Sequence, residues 1–332
     1  MQKQKRYIFY SLLLALFIFC FGIFIKYLID PVGLNNVLNL GLHKDVALAY
    51  RTQKFVELNN FKPETLLIGG SRVHYMDTDD ITKYTNDKVY NLGFSFSTLE
   101  EQYYFLKHSL ESFPIKNVLL GINLYTFSSK LEENNSDFDI DIVKNGFGFF
   151  KQVKHYVEVP LFKYLRYNLN RTDANEPRYK NGGISAYHQK MVIDNNEKDK
   201  MWEGTLKGYK TKYENYLEWA ENSTYYYEKM VELCKEYSVN LVVFTTAIHS
   251  DLLDEIEKQN KMDIFYKWKE ELAKIYPYWD FMTRNTITND KDPYIDPSHL
   301  KQEFGKYYFA RIFNDISIEV PEDFGVYIDK TK

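Results

Sequence analysis

A serine, an aspartate and a histidine stand in sequence contexts that would suit nucleophilic catalysis. Ser71 follows the apolar run LLIGG, and Asp296 and His299 lie three residues apart in DPSHL. A serine hydroxyl is a weak nucleophile that needs an imidazole as its base, and the imidazole needs a carboxylate that fixes its tautomer. The three residues would therefore support acyl transfer, with Ser71 as nucleophile, His299 as base and Asp296 orienting the imidazole.

Two further residues could stabilise the negative charge that develops on a carbonyl oxygen under attack. Gly93 ends the apolar run VYNLG, and Asn123 follows the apolar run VLLGI. A backbone N–H and a side-chain amide are donors of the kind that an oxyanion hole requires. We therefore expect the Gly93 N–H and the Asn123 amide to form one. Each of these residues alone could instead be a strand end, a turn or a helix cap.

Three other residues are expected near this site. Arg72 would make a local salt bridge or contact an anion. His74 competes with His299 as base, but it is too near Ser71 in sequence for the usual triad geometry. His249 follows a later strand and could border the site.

The alternation of apolar runs and helical periodicity indicates the fold. Five strands are predicted, in ETLLIGG, DKVYNLGF, IKNVLLGINLYTF, NLVVFTTA and YPYWDFM. Helices are predicted over STLEEQYYFLKHSLESF (capped by Ser97 or Thr98), YYYEKMVELCKEYSV, SDLLDEIEKQNKMDIFYKWKEELAKIY and KQEFGKYYFARIFNDI. Connections of this length imply parallel strands, so we predict a three-layer α/β/α sandwich with a mainly parallel five-stranded sheet. Sites in such sheets lie beyond the carboxyl ends of the strands, where Ser71, Gly93 and Asn123 are expected.

The composition limits the classes of partner. The chain has 332 residues and a formal net charge of −4, without a dense basic stripe, so no nucleic-acid partner is expected. No metal or nucleotide motif occurs, so no cofactor is expected. Cys234 lies on the apolar face of a predicted helix and is interpreted as a buried, inert thiol.

The N-terminus has the pattern of a membrane anchor. Lys3, Lys5 and Arg6 precede an uncharged apolar stretch from Tyr7 to Ile25, and roughly 20 such residues suffice to cross a bilayer. The basic flank predicts a cytoplasmic N-terminus. Because no small-residue cleavage site follows, we prefer a signal anchor to a cleaved signal peptide. The expected location is the cell membrane, crossed once, with the catalytic domain extracytoplasmic.

The predicted domain organisation follows from this anchor. Residues 1–29 are the cytoplasmic stub and anchor, and residues 30–60 are a juxtamembrane segment with a helix at about Asn36 to Thr52. Residues 61–332 are the extracytoplasmic domain. An insertion at about 130–220 interrupts it, with some helix in FKQVKHYVEVPLFKYLRYNL. The insertion could be a lid or substrate cradle, or a surface elaboration.

Four short motifs, taken together, resemble those of the SGNH hydrolase superfamily. They are IGGSRV, NLGFS, GINL and DPSHL, and the resemblance spans about Glu64 to Ile312. It implies an SGNH/flavodoxin-like fold in which Ser71 is the nucleophile, Gly93 and Asn123 form the oxyanion hole, and Asp296 and His299 complete the D-x-x-H block.

At two positions the sequence departs from the family pattern, and these departures favour one branch of the family. Gly70 replaces the acidic residue of the usual G-D-S block, and Leu124 replaces the aspartate of G-x-N-D. With the anchor, this resembles the membrane-bound branch that works beside a membrane-bound O-acyltransferase in alginate or cellulose acetylation or in D-alanylation of teichoic acids. The implied function is O-acyl transfer, most simply O-acetyl transfer, to an extracellular polysaccharide or teichoic acid.

Two alternatives remain open. A carbohydrate esterase would use the same triad, since only the exclusion of water separates transfer from hydrolysis. A membrane-tethered scaffold would keep the fold without the chemistry. Trp202, Tyr209 and Trp219 could line a glycan groove or could simply pack within the insertion.

Overall fold

The computed structural model describes residues 2–35, 37–38, 50–130, 140–169, 178–194 and 198–330. The chain divides into two compact units, one of residues 1–56 and 137–177, the other of residues 57–136 and 178–332. Most of the helix predicted at about Asn36 to Thr52 lies outside the described residues, and the described helix in this part of the chain is Tyr50–Phe61.

The described elements are numbered here in chain order. The helices are α1 Gln2–Ile29, α2 Tyr50–Phe61, α3 Ser71–His74, α4 Asp79–Thr85, α5 Leu99–Ser112, α6 Asp141–Asn145, α7 Phe149–Glu158, α8 Leu161–Leu169, α9 Ala186–Asp194, α10 Lys198–Tyr216, α11 Tyr225–Glu236, α12 Ser250–Lys258, α13 Met262–Ile275 and α14 Gly305–Ile312. The strands are β1 Thr65–Gly69, β2 Val89–Gly93, β3 Asn117–Ile122, β4 Tyr179–Lys180, β5 Gly183–Ile184, β6 Asn240–Thr245, β7 Tyr278–Asp280, β8 Tyr294–Asp296, β9 His299–Leu300 and β10 Val326–Ile328.

The central sheet confirms the predicted α/β class. It has six strands in the order β10-β7-β6-β3-β1-β2. The five predicted strands pair in parallel, and β10 adds an antiparallel edge to β7. The sequence did not indicate β10, because a strand of three residues is too short to show a periodic pattern.

Helices cover both faces of this sheet. Strands β1 and β2 are buried along their whole length, as expected for strands packed on two sides. On one face, Leu67 and Leu119 belong to a core cluster with Ile81 of α4 and Phe309 of α14. On the other, α5 and α11 pack against each other.

The local backbone explains where one predicted helix begins and why another predicted helix is divided in two. The Thr98 hydroxyl accepts a hydrogen bond from the Glu101 N–H at 3.1 Å, as an N-cap residue should, and α5 begins at Leu99. The single long helix predicted from Ser250 to Tyr276 is instead two helices, α12 and α13. Asn260, with φ of 55°, breaks it, because left-handed backbone ends a helix.

The N-terminal unit contains the helix that the apolar stretch predicted. Within the described residues, one helix, Lys3–Ile29, is long and apolar enough to cross a membrane. The C-terminal end of this helix, α1, packs against α7, where the Lys26 ammonium donates to the Val157 carbonyl at 3.0 Å. The rings of Tyr27 and Tyr156 also meet here, with centroids 5.6 Å apart.

Candidate active site

Strand register brings Ser71 and Asn123 to the same edge of the sheet. Gly69 at the end of β1 pairs with Gly121 near the end of β3. Ser71 and Asn123 each follow two residues beyond that pair, so both lie past the carboxyl ends of adjacent strands. Ser71 begins α3 directly after β1 and Gly70, which places its hydroxyl on a tight strand-to-helix turn.

Glycines let the helix that carries Ser71 lie directly on the sheet. A β-carbon on Gly69 would stand 2.4 Å from the Gly121 carbonyl oxygen and 2.5 Å from a methyl group of Val73. A β-carbon on Gly121 would stand 2.4 Å from the same Val73 methyl. The two glycines are therefore required by close packing, which explains the glycine next to the strand end in IGGSRV.

Asp296 and His299 form one continuous hydrogen-bonded chain with Ser71. The His299 Nε2 lies 2.9 Å from the Ser71 Oγ, and the His299 Nδ1 lies 2.8 Å from the Asp296 Oδ2. The two residues pair across the small β8–β9 hairpin rather than within a helix. The structure thus brings Ser71 together with Asp296 and His299, which lie more than 220 residues later in the sequence.

The carboxylate of Asp296 is held in its charged form. Its burial alone would raise its pKa. However, the charge and hydrogen bond of His299, with backbone N–H groups of Ser298 and His299, outweigh burial and lower the pKa below its usual range. The Asp296 Oδ1 accepts from the Ser298 N–H at 2.7 Å and from the His299 N–H at 3.1 Å. Asp296 can therefore orient and stabilise an imidazolium at neutral pH.

Tyr75 is a site residue that sequence reasoning missed. Its ring stacks on the His299 ring with centroids 4.8 Å apart. Burial, followed by the nearby charge of Asp296, raises the pKa of Tyr75 to about 12, so its hydroxyl stays neutral. Tyr75 lies four residues after Ser71, and this spacing of about one helical turn is the signal that could have indicated it.

The Asn123 side chain is oriented by its own backbone turn. Its Oδ1 accepts from the Thr126 N–H at 3.3 Å and caps a short 3₁₀ helix. A β-carbon on Gly70 would lie 3.1 Å from the Asn123 Nδ2, so the amide nitrogen lies beside the residue that precedes Ser71. The Asn123 Nδ2 is therefore available as a donor next to the serine.

The predicted oxyanion role of Gly93 is not supported by its contacts. The Gly93 N–H donates to the Asn91 Oδ1 at 2.7 Å, and Gly93 does not line the cavity in front of Ser71. A β-carbon on Gly93 would stand 2.3 Å from the His74 backbone nitrogen. Gly93 is therefore a packing glycine, required because α3 lies against β2.

The loop after Gly93 lines the cavity instead. Ser95, Phe96 and Ser97 all contribute to its wall. Phe96 has a φ of 55°, and its ring is 59% exposed. A non-glycine residue in left-handed backbone is uncommon and often marks a functional loop. The cavity is thus lined by the last residue of the motif NLGFS and the two residues after it, and Gly93 itself is not among the lining residues.

The packing role of Gly93 has a measurable consequence. Gly93→Ala should lower the free energy of unfolding by about 1–3 kcal/mol, because the methyl group overpacks the junction of α3 and β2. The matched control is Gly204→Ala in α10, where nothing lies within 4 Å of the new β-carbon. That change should be neutral or stabilise by about 0.5–1 kcal/mol. Urea unfolding of the two variants measures both effects, and equal stability would refute the close approach.

Arg72 connects the serine turn to the histidine hairpin, and it forms no salt bridge with the residues that the structure describes. Its Nε donates to the Ser298 carbonyl and hydroxyl, both at 3.1 Å, and its Nη2 donates to the Tyr209 hydroxyl at 3.3 Å. Its Nη1 donates to the Thr246 hydroxyl at 3.3 Å. A local salt bridge was one of the two roles expected of Arg72, and these neutral acceptors take its place and hold Ser71 relative to His299. The other expected role, contact with an anion, stays a prediction.

The two other histidines that the sequence suggested for the site are His74 and His249, and their rings are held by other aromatic side chains. The His74 ring is buried and stacks on the Tyr179 ring at 5.2 Å, so it is not placed to act as the base. The His249 ring lies between the rings of Trp202 and Tyr294, at 4.8 and 5.5 Å. Neither histidine lines the cavity, although the His249 N–H donates to the Pro297 carbonyl beside the hairpin.

A cavity of about 250 Å³ opens in front of Ser71 and His299. Helix α10, from the predicted insertion, forms one wall with Thr205, Gly208, Tyr209 and Lys212. These positions have the i, i+3, i+4, i+7 spacing of one helix face. Of the three aromatic residues predicted for a groove, Tyr209 lines the cavity, whereas Trp202 and Trp219 do not.

Two other kinds of reactive group were considered in the sequence, a cysteine thiol and a set of metal ligands. The Cys234 thiol is buried, and burial raises its pKa to about 12, so it is not a nucleophile at neutral pH. Within the described part of the chain, no group of three or more His, Cys, Asp or Glu residues could hold a metal ion.

Comparison with solved structures found chains of similar fold, of which one is described here. A crystal structure of a Bacteroides fragilis NCTC 9343 protein, named as a candidate acylhydrolase, superposes with a TM-score of 0.38 at 11% identity. The match covers 80% of this chain and 93% of that chain. No protein-family model and no curated protein matches the sequence. Such a low TM-score does not indicate a shared function.

Proposed function

We propose that this chain is a membrane-anchored serine acyltransferase of SGNH type, which forms an acyl ester on Ser71. The observation that carries the proposal is the hydrogen-bonded chain from Ser71 through His299 to Asp296, at the carboxyl edge of the sheet and open to a cavity. The motif resemblance is consistent with it. The acyl group that we expect is acetyl, and the acceptor is a hydroxyl of an extracellular polysaccharide or teichoic acid.

The first half of the reaction forms the acyl-enzyme. The His299 Nε2 takes the proton of the Ser71 hydroxyl, and the Ser71 Oγ attacks the carbonyl carbon of the acyl donor. The carbonyl oxygen gains negative charge as the tetrahedral intermediate forms. Collapse of the intermediate expels the donor's leaving group, which receives the proton from His299. Asp296 stabilises the imidazolium throughout without taking its proton.

Asn123 supplies a donor to the developing oxyanion. Because the Oδ1 is held by the Thr126 N–H, the Nδ2 remains beside Gly70 and Ser71. The Ser71 N–H, at the first position of α3, has no acceptor within its helix and is the second donor that we propose. Gly93 has no part in this step, because its N–H is bonded to Asn91.

Removing the Asn123 amide should therefore affect the rate and not the fold. Asn123→Ala is expected to lower kcat about 10²- to 10³-fold, the usual cost of one oxyanion donor. Asn117→Ala, at the opposite end of the same strand β3, is the matched control and should leave kcat within a few-fold. Steady-state kinetics on p-nitrophenyl acetate measures both, and equal losses in the two variants would contradict the role of Asn123.

The second half of the reaction passes the acyl group to an acceptor. His299 removes the proton of an acceptor hydroxyl, which attacks the Ser71 ester, and Ser71 is released. A membrane anchor would keep the site where envelope polymers emerge from the bilayer. In this proposal α1 crosses the cell membrane once with its N-terminus in the cytoplasm, and a membrane-bound O-acyltransferase supplies the acyl donor.

An esterase that deacetylates the same polymers is the second candidate. The observation that favours it is the openness of the site, because Ser71 is only partly buried and water can reach an acyl-Ser71. Transfer requires that an acceptor competes with this water. Aromatic walls such as Tyr75, Tyr125 and Tyr209 would favour a sugar over water through ring stacking.

The experiment that separates the candidates measures how the acyl group partitions. The full chain in lipid nanodiscs is incubated with p-nitrophenyl acetate, with and without an oligosaccharide acceptor, alongside Ser71→Ala. Mass spectrometry quantifies acetylated sugar and free acetate. Acetylated sugar that depends on Ser71 supports the transferase, and acetate alone supports the esterase. If neither product depends on Ser71, the chain is not an acyl enzyme on this donor, and a scaffold becomes the better hypothesis.

A further inference from the structure

One cation in the cavity has no role in the proposed chemistry. The Lys212 ammonium lies over three aromatic rings, 4.4 Å from the ring centroid of Phe96, 4.7 Å from that of Tyr209 and 5.5 Å from that of Tyr125. All four residues line the cavity that holds Ser71. Lys212 therefore lies in the same cavity as Ser71 and His299, and the proposed acyl chemistry gives it no role.

The charges around the cavity do not balance at Lys212. The Asp296 carboxylate is engaged by His299, and the Arg72 guanidinium is engaged by neutral acceptors. Within the described residues, no carboxylate oxygen lies within 4 Å of the Lys212 ammonium. Burial lowers the pKa of Lys212, because a charged ammonium loses favourable free energy of hydration when it is removed from water. An anion in the cavity would offset that cost.

We propose that Lys212 binds a negatively charged group, a phosphate or a carboxylate, carried by the acyl substrate. The aromatic rings hold the ammonium in place by cation–π contact, so little side-chain entropy is lost when the anion binds. This inference deepens the proposed function, on which its catalytic part rests. The anion belongs either to the acyl group or to the alcohol to which that group is esterified.

The two sources are separated with paired esters of different charge. For the acyl side, mono-p-nitrophenyl succinate is compared with neutral p-nitrophenyl butyrate. For the alcohol side, 1-acetylglycerol 3-phosphate is compared with neutral 1-acetylglycerol. In the wild type, the anionic member of one pair should have the higher kcat/KM. Lys212→Met should lower that anionic-to-neutral ratio about 10- to 100-fold, as expected for the loss of a charge-assisted hydrogen bond.

Two variants act as controls for this ratio. Lys212→Arg retains the charge and should restore most of the preference. Lys210→Met removes an exposed lysine two residues away on α10 and should leave the ratio unchanged. A ratio that falls equally in Lys210→Met, or that does not change in Lys212→Met, would overturn the proposal.

A binding measurement keeps this inference separate from catalysis. The Ser71→Ala chain in nanodiscs is titrated with glycerol 3-phosphate and with inorganic phosphate, and the Lys212 amine is observed by NMR after reductive ¹³C-methylation. A shift of that signal, absent with neutral glycerol, supports the anion site even if no ester is turned over. Ser71-dependent turnover without any shift of the Lys212 signal would refute the anion site and leave the proposed function intact.

A second inference comes from the N-terminal unit and does not depend on catalysis. Helices α7 and α8, residues 149–169, form a segment that we name the ledge. Besides the contacts of Lys26 and Tyr27, the Tyr156 hydroxyl donates to the Asp30 Oδ1 at 3.0 Å. Asp30 lies directly after α1, so the ledge is fixed to the end of the apolar helix, just past its uncharged stretch.

The ledge carries exposed aromatic rings. A helix on the water-facing surface of a protein would normally turn such rings toward the protein core. Phe149, Phe150 and Phe162 are 71%, 86% and 86% exposed. Exposed basic residues accompany them, namely Lys154, Lys163 and Arg166. Rings on one face and basic residues beside them are typical of helices that lie in a membrane interface. The continuity with α1 indicates which surface covers these rings.

We infer that the ledge lies on the lipid headgroup region beside α1, with its phenylalanines inserted among the acyl chains. In the matched test, Phe150→Cys and Glu158→Cys are labelled separately with an environment-sensitive fluorophore. Phe150 lies in the first turn of α7, and Glu158 is the exposed acidic residue at its C-terminal end. Cys20→Ser is the background, and the remaining Cys234 is buried.

The labelled full chains are reconstituted in nanodiscs of phosphatidylcholine with or without phosphatidylglycerol. The Phe150→Cys label should be quenched by nitroxide-bearing lipids and protected from aqueous iodide, and the Glu158→Cys label should show the reverse. The contrast should increase with the anionic lipid. Equal iodide quenching of both labels in both lipid mixtures would show that the ledge faces water and would refute the inference.

Discussion

Replacing Ser71 by alanine is expected to lower kcat for ester turnover about 10⁴- to 10⁶-fold, because the variant has no oxygen that can form the acyl ester. The Ser71 Oγ is the atom that the His299 Nε2 contacts, at 2.9 Å. Loss of one hydroxyl from a partly buried position should leave the fold unchanged. Single-turnover and steady-state kinetics on p-nitrophenyl acetate measure the loss, and circular dichroism checks the fold.

The control for this prediction is another serine of the same cavity. Ser95 lines the cavity but is not the serine bonded to the imidazole, so Ser95→Ala should reduce kcat less than 10-fold on the same substrate. If Ser71→Ala retains a tenth or more of the wild-type kcat, Ser71 is not the nucleophile.

Asp296→Asn is expected to lower kcat about 10³- to 10⁴-fold. The Asp296 Oδ1 accepts two backbone N–H groups, and the Oδ2 accepts from the His299 Nδ1. An asparagine that keeps its oxygen on the backbone groups must turn its NH₂ toward the ring. The ring would then accept at Nδ1 and carry its proton on Nε2, where it cannot act as base for Ser71.

The measurement is kcat as a function of pH, with Asp292→Asn as control. Asp292 is exposed and lies four residues before Asp296 in the same segment, so its change should leave the profile unaltered. Because the pKa of Asp296 is lowered, its carboxylate stays ionised well below neutral pH, and wild-type activity should not fall from its protonation between about pH 5 and 7. A kcat within 10-fold of wild type for Asp296→Asn would contradict the role of Asp296.

Much of the fold and the triad could be predicted because short-range patterns determine them. The five parallel strands are apolar runs that end in glycine or a polar residue, and this pattern is visible in the sequence. Once the strands are parallel, Ser71 and Asn123 must share an edge, because each follows its strand directly. Asp296 and His299 are close in sequence, so their contact needed only one tight turn.

The rest depended on contacts between distant segments, which no local pattern records. The motif NLGFS suggested Gly93 as the oxyanion donor. In the structure, the Gly93 N–H donates to the Asn91 side chain, and the His74 backbone lies directly against Gly93. In the sequence, nothing distinguishes Lys212 from the solvent-exposed lysines around it. Its role becomes visible only because α10 forms a wall of the cavity. Asn260 splits a helix whose apolar periodicity is otherwise continuous.

The most direct test of the proposed function is covalent labelling of the full chain in nanodiscs with a fluorophosphonate, followed by peptide mapping. The Ser71 Oγ would attack phosphorus and displace fluoride, because His299 takes its proton. We expect a single phosphonylated peptide containing Ser71 in the wild type, and strongly reduced labelling in His299→Ala. No label on Ser71, or equal labelling of Ser71 in both proteins, would show that Ser71 is not an activated nucleophile.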